Sequence, residues 1–138
     1  MAEQPTRVLC VENDPMVCDT LGRLLCPPDF CWLGAVPSVD DLDEAVERER
    51  ADLVVLCMRP GDEAGAVAWV RRVKAERPRL RAAFLTTVAD PAWLAEAIAA
   101  GVDGLFSKFD SPTDLRALLA AVMRGQFVVS PETRPLLW

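Results

Sequence analysis

Apolar and polar positions along the chain predict short buried strands separated by amphipathic helices. The strand candidates are compact apolar runs that lie between turn or cap signals and show no helical period. The sequence LVVLC, residues 53–57, is the most apolar of them. The predicted strands cover residues 7–11, 30–36, 53–57, 82–86 and 104–107.

The segments between these runs have the spacing and the end signals of helices. A capping residue followed by proline marks three helix starts, at Asp14, Asp90 and Ser111. Gly101 and Gly125 are placed to end the last two helices. The predicted helices cover residues 15–25, about 38–49, about 66–76, about 91–101 and about 112–125.

Strands that alternate with helices predict an α/β protein with a parallel sheet covered on both faces. In such a fold, ligands bind at the carboxyl ends of the strands. We therefore expect the polar residues at four strand ends to converge on one pocket. These residues are Glu12, Asn13 and Asp14 after the first strand, Cys57 in the third, Thr86 in the fourth and Lys108 after the fifth.

Composition narrows the functional classes. The length of 138 residues fits one domain, and the net charge of −6 makes the chain by itself a poor partner for nucleic acid. There is no histidine and no Cys-x-x-Cys pair, so the usual zinc sites and histidine-activated nucleophiles lack their residues. No apolar run approaches the ~20 residues of a membrane span, and the first residues lack a signal-peptide pattern. We expect a cytoplasmic protein without membrane contact.

Four motifs follow one another at strand ends: VLCVENDP, ADLVVLCMRPGDEAG, AAFLTT and AGVDGLFSKF. In this order the chain resembles the CheY-like receiver domains of response regulators over about residues 6–125. The resemblance implies a flavodoxin-like (βα)5 doubly wound sheet with strand order 2-1-3-4-5. The sequence RGQFVVSPE resembles the NarL/FixJ-type junction that leads to a DNA-binding domain. It implies a receiver domain at 1–125 and a linker start or tail at 126–138.

The same resemblance indicates where the chain departs from the receiver pattern. Cys57 lies at the position of the phosphate-accepting aspartate, and Asn13 replaces the principal metal-binding acid, leaving Glu12 as the matched acid. Thr86 and Lys108 are kept at the phosphate-binding positions. At the switch-aromatic position the chain has Leu105. This pattern implies weak or absent magnesium binding and no other cofactor.

The residues leave two alternatives open at this pocket. Cys57 is either a small buried residue or a redox-sensitive thiol whose pKa Lys108 would lower. Lys108 either forms an ion pair with Glu12, or binds an anion together with Thr86 and Arg59.

The function that we predict is a non-enzymatic, phosphorylation-independent signalling and dimerisation module. It would be the N-terminal part of a DNA-binding transcription regulator, acting as a homodimer or with a protein partner, and would reach DNA only through a domain outside this chain. Two alternatives are a residual phosphoryl acceptor that uses another carboxylate, such as Asp14 or Asp62, and a sensor of a small ligand or of thiol oxidation.

Overall fold

The apolar runs become the strands of one parallel sheet. The computed structural model describes residues 4–58, 61–87 and 90–137. Its strands, in sheet order β2-β1-β3-β4-β5-β6, include all five that the sequence predicts and confirm the expected 2-1-3-4-5 order. The strands are β1 (Thr6–Val11), β2 (Phe30–Val36), β3 (Leu53–Met58), β4 (Arg81–Thr86), β5 (Gly104–Ser107) and β6 (Val128–Val129).

Five α-helices cover the two faces of this sheet. Asp14, Asp90 and Ser111 each accept a hydrogen bond from a backbone N–H of the first helical turn, as the sequence predicts. Ser38 caps a short 3-10 turn, Val39–Asp41, before the second helix. The helices are α1 (Pro15–Leu24), α2 (Leu42–Glu49), α3 (Glu63–Glu76), α4 (Pro91–Ala100) and α5 (Pro112–Met123).

The third helix begins three residues earlier than predicted. Gly65, which precedes the predicted start at about residue 66, lies in the first turn of α3. The Glu63 carboxylate accepts a hydrogen bond from the Gly61 N–H at 2.8 Å, which satisfies a backbone donor just ahead of the helix. This local bond allows the helix to begin before the glycine.

Alternation along the strands divides the core between the two faces of the sheet. In β3, Val54 and Leu56 pack into the cluster that α2, α3 and α4 cover. Their neighbours Val55 and Cys57 point to the other face, into the cluster that α1 and α5 cover. Cys57 therefore shares a face with α1 and α5, although it lies near the carboxyl end of its strand.

The segment after residue 125 adds a sixth strand that the sequence did not predict. β6 pairs in parallel with β5, and the Ser130 N–H donates to the Leu105 carbonyl at 2.9 Å. The buried hydroxyls of Ser130 and Thr133 lie 2.9 Å apart. The division into a receiver domain at 1–125 and a linker or tail at 126–138 stays a prediction, while described residues 126–137 contribute to the same body.

Candidate functional site

Glu12 is a buried carboxylate at the carboxyl end of β1, with only 5% of its surface exposed. Its Oε1 accepts hydrogen bonds from the backbone N–H groups of Asn13 at 2.9 Å and Asp14 at 3.1 Å. The chain therefore folds its own turn around one oxygen of this carboxylate. Charge-assisted bonds of this kind are stronger than those between neutral groups, so they hold the side chain in place.

The other carboxylate oxygen of Glu12 faces Lys108. The distance from Lys108 Nζ to Glu12 Oε2 is 3.7 Å, and 26% of the lysine side chain is exposed. Glu12 Oε2 is buried and accepts no hydrogen bond from the described residues, so the ammonium group is its electrostatic partner. This contact is the ion pair that the sequence predicts as one of the two alternatives for Lys108.

The remaining polar residues after β1 do not turn into the pocket. Asn13 and Asp14 are both exposed. The Asp14 carboxylate accepts from the Met16 N–H at 2.9 Å and is used to cap α1. Of the three residues predicted as a degenerate acidic pocket, the structure thus buries Glu12 alone.

Cys57 is buried, with 3% of its surface exposed, and its sulfur meets a second thiol. The Sγ atoms of Cys10 and Cys57 lie 3.4 Å apart, at the distance of a sulfur hydrogen bond. This bond, together with burial, raises the pKa of the Cys10 thiol well above its ordinary value. Cys10 is therefore a neutral thiol at neutral pH.

A third thiol lies near the same turn. The Cys18 Sγ donates to the Glu12 carbonyl at 3.8 Å. Partial burial, followed by the charge of Glu12, raises the pKa of Cys18. Neither Cys10 nor Cys18 is among the residues that the sequence places in the pocket. The approach of Cys10 to Cys57 depends on the register of β1 against β3, for which the sequence gives no direct signal. Cys18 reaches the Glu12 carbonyl through the turn that leads into α1.

Thr86, at a phosphate-binding position of the resemblance, and Leu105, at its switch-aromatic position, are both buried. Thr86 ends β4 beside Met58 and Ser107 of the neighbouring strands. Leu105 is fully buried on the α3 and α4 side of the sheet, whereas Phe106 is buried on the α1 and α5 side. Phe106 therefore does not supply an aromatic side chain on the Leu105 face of the sheet. Arg59, the predicted anion contact, lies outside the described residues.

Two concave surfaces meet at this edge of the sheet, where the sequence predicted one pocket. A cavity of about 240 Å³ is lined by the ends of β1 and β3, including Glu12 and Cys57, and by the start of α3, including Asp62. A groove of about 270 Å³ runs between α1 and α5, and Lys108 lies at its edge. The Glu12–Lys108 pair joins the two surfaces.

Comparison with known proteins identifies the family. Residues 8–121 match the response regulator receiver domain. The chain belongs to this family. The match covers most of the chain and spans all four strand ends described above. None of the described helices is long and apolar enough to cross a membrane.

Curated relatives of this receiver domain are regulatory proteins. Methanol utilization control regulatory protein MoxX of Paracoccus denitrificans is 24% identical over 123 residues, which are 88% of this chain and 55% of that protein. Transcriptional regulatory protein GlrR of Escherichia coli (strain K12) is 27% identical over 122 residues, which are 26% of its length. The chain thus spans about half or less of these two relatives.

Solved structures share the fold at low sequence identity. The isolated receiver domain of RcsB from Salmonella enterica serovar Typhimurium, solved with the phosphomimetic BeF3⁻, has a TM-score of 0.84 and 23% identity, covering 97% of this chain and 99% of that one. A LuxR-family response regulator from Aurantimonas sp. also has a TM-score of 0.84, with 21% identity and coverage of 96% and 95%.

We expect the Glu12–Lys108 ion pair to contribute measurably to the stability of the fold. We expect Lys108→Met to lower the free energy of unfolding by about 1–2 kcal/mol, because Glu12 stays buried without its counter-charge. The losses of unfolding free energy in Glu12→Gln and in Lys108→Met should not add in the double variant. We expect a coupling free energy of about 1 kcal/mol between the two residues. Urea denaturation of the two single variants, the double variant and the parent measures this coupling.

Arg23→Met is the matched control, since Arg23 forms an exposed pair with Asp19 on α1. Exposed pairs of this kind contribute little, so its effect should be close to zero. A Lys108→Met effect as small as that of Arg23→Met would contradict the assignment of Lys108 as the partner of Glu12.

Proposed function

We propose that this receiver domain signals without an aspartyl phosphate, as a regulatory interaction module and not as an enzyme. The observation that carries the proposal is the state of its pocket. A thiol occupies the acceptor position implied by the resemblance, and the matched acid already pairs with the matched lysine at 3.7 Å. The charges that would receive a phosphoryl group are thus engaged with each other.

Phosphoryl transfer to a receiver requires an attacking carboxylate, a cation and groups that bind the transferred oxygens. Cys57 provides no carboxylate, and its sulfur is in contact with Cys10. The Asp14 carboxylate is engaged as the N-cap of α1, which disfavours it as an alternative phosphoryl acceptor. A phosphoryl group at Lys108 would also have to displace the Glu12 carboxylate. These contacts favour a pocket that does not take up phosphate.

The donor set does not suit magnesium. Magnesium prefers an octahedral shell of oxygens that includes carboxylates. Here Glu12 Oε1 is occupied by two backbone N–H groups, and Asn13 and Asp14 are exposed. Within the described ranges no three acidic or thiol side chains form a group that could hold a metal. We therefore propose that this domain works without magnesium or another cofactor.

The output that we propose is transcription control in the cytoplasm through a DNA-binding domain beyond this chain. Support comes from GlrR, whose name describes a transcriptional regulator, and from solved RcsB structures described as dimers bound to DNA. The acidic net charge of −6 agrees with contact to DNA through another domain. The domain itself would supply the homodimer contact or bind a protein partner.

The groove between α1 and α5 is the surface that best fits a homodimer contact. Apolar side chains line most of it, among them Val17, Leu21, Leu24 and Leu115. Met16 lies at the same groove and is 78% exposed. Exposed apolar surface that continues into a groove is typical of an interaction site. Trp93, by contrast, is buried on α4 and packs against Phe84 with ring centroids 5.1 Å apart.

Incubation with magnesium and acetyl phosphate directly tests the proposal that the domain does not take up a phosphoryl group. We expect the intact mass of the chain to stay unchanged, since the acceptor carboxylate is missing and Lys108 is paired. A receiver with the usual aspartate, treated in parallel, provides the positive control. A stoichiometric phosphoryl adduct that requires magnesium and disappears in Lys108→Ala would overturn the proposal.

The homodimer contact is tested by a charge placed in the groove. Met16→Glu should weaken self-association at least about tenfold, because a carboxylate would be desolvated in an apolar contact. Ile98→Glu, at a 39% exposed residue on α4, is the matched control and should leave self-association unchanged. Sedimentation equilibrium measures both. A monomeric parent, or a loss of dimer in Ile98→Glu alone, would contradict this surface.

A further inference from the structure

The thiols of Cys10 and Cys57 face each other across two neighbouring strands. Their sulfur atoms are 3.4 Å apart, and both side chains belong to the core cluster under α1 and α5. We propose that this pair is an oxidisable dithiol, a modification site that a small neutral hydroperoxide converts into an intrachain disulfide. The proposal does not depend on whether the domain accepts phosphate.

Strand register explains why the two sulfurs meet. Cys10 lies opposite Val55 in the β1–β3 ladder, so Cys57 is two residues further toward the carboxyl edge, on the same face. A disulfide has an S–S length of about 2.05 Å, so the sulfurs must approach by about 1.4 Å. Because the two residues are diagonal neighbours, rotation of their side chains alone would not bring the sulfurs to bonding distance. The backbone at the strand ends must also shift slightly.

The cavity at the strand ends gives an oxidant access to one of the two thiols. Cys57 lines the cavity of about 240 Å³, whereas Cys10 has no exposed surface. The side chains of Asp40 and Asp62 line the same cavity. Their negative charge disfavours anionic oxidants, including glutathione disulfide, and leaves a small neutral hydroperoxide as the fitting class. Cys57 is therefore oxidised first, and Cys10 is the resolving thiol.

Both steps balance without a further reactant. The Cys57 sulfur attacks one peroxide oxygen and loses its proton; an S–O bond forms, the O–O bond breaks, and the displaced oxygen takes up that proton and leaves as alcohol or water. The Cys10 sulfur then attacks the sulfenyl sulfur, an S–S bond forms, and the hydroxide leaves as water with the Cys10 proton. Two thiols and one hydroperoxide give one disulfide, one alcohol or water, and one water.

The other thiols lack this arrangement. The Cys18 Sγ is directed at the Glu12 carbonyl, and Cys26 is exposed beside Arg116. The raised pKa of Cys10 keeps its proton bound at neutral pH and makes the second step slow. Proximity offsets this low reactivity, because the Cys10 sulfur is already next to Cys57 when the sulfenic acid forms.

Peptide mapping of the full chain tests the dithiol. The reduced protein is treated with hydrogen peroxide, its remaining thiols are alkylated after denaturation, and tryptic peptides are analysed without reductant. We expect a loss of two hydrogen atoms in the intact mass, two of the five thiols protected from alkylation, and a cross-linked peptide that joins Cys57 to Cys10. Fragment ions must place the bond, because one tryptic peptide carries both Cys10 and Cys18.

Alanine variants separate the neighbouring thiols. Cys10→Ala and Cys57→Ala should abolish the cross-link, whereas Cys18→Ala, the matched control, should keep it. Circular dichroism checks that each variant is folded, and if one is not, the fragment ions of the parent decide. The proposal is overturned if Cys57 links to Cys18 or to another chain, if it stops at a sulfinic acid, or if it stays reduced while Cys26 is oxidised.

Discussion

A buried carboxylate that needs a counter-charge governs the architecture of this pocket. Burial of the Glu12 carboxylate is costly without partners, and the chain supplies them from two directions. The backbone of the next two residues hydrogen-bonds one oxygen, while Lys108 approaches the other from beyond β5. The hydrogen bonds to Glu12 stabilise the turn that leads into α1. The ion pair with Lys108 links the end of β5 to the end of β1. A pocket that in the resemblance receives an external anion is here balanced internally.

The second feature of the pocket is a pair of sulfurs in contact. Cys57 lies where the resemblance to receiver domains places a carboxylate, and the Cys10 sulfur lies 3.4 Å from the Cys57 sulfur. The pocket thus loses negative charge and gains chemistry that responds to oxidants. On the proposed function, a thiol at position 57 has two consequences: the domain has no phosphoryl acceptor there, and it gains a candidate modification site.

Local signals in the sequence predicted most of the fold, whereas details that depend on register could not be predicted. Asp14, Asp90 and Ser111 each cap the helix that the sequence assigned to them, because capping is decided within a few residues. The convergence of Glu12 and Lys108 on one edge followed from the rule that parallel strands end together, whereas their ion pair was one of two alternatives. The Cys10–Cys57 contact depends on the register of β1 against β3, which the sequence does not specify. Strand β6 has only two residues, too few to show an alternating pattern. The groove of Lys108 was missed because it depends on the packing of α1 against α5.

Amide NMR spectra with and without magnesium and beryllofluoride test the internally balanced pocket most directly, because they report on the pocket itself. The account predicts that the resonances of Glu12, Thr86 and Lys108 stay where they are, since the carboxylate and the ammonium group already satisfy each other and no acceptor carboxylate is present. Saturable shifts of these resonances, together with Leu105, would contradict it and would show that the pocket still binds and reads a phosphoryl-like group.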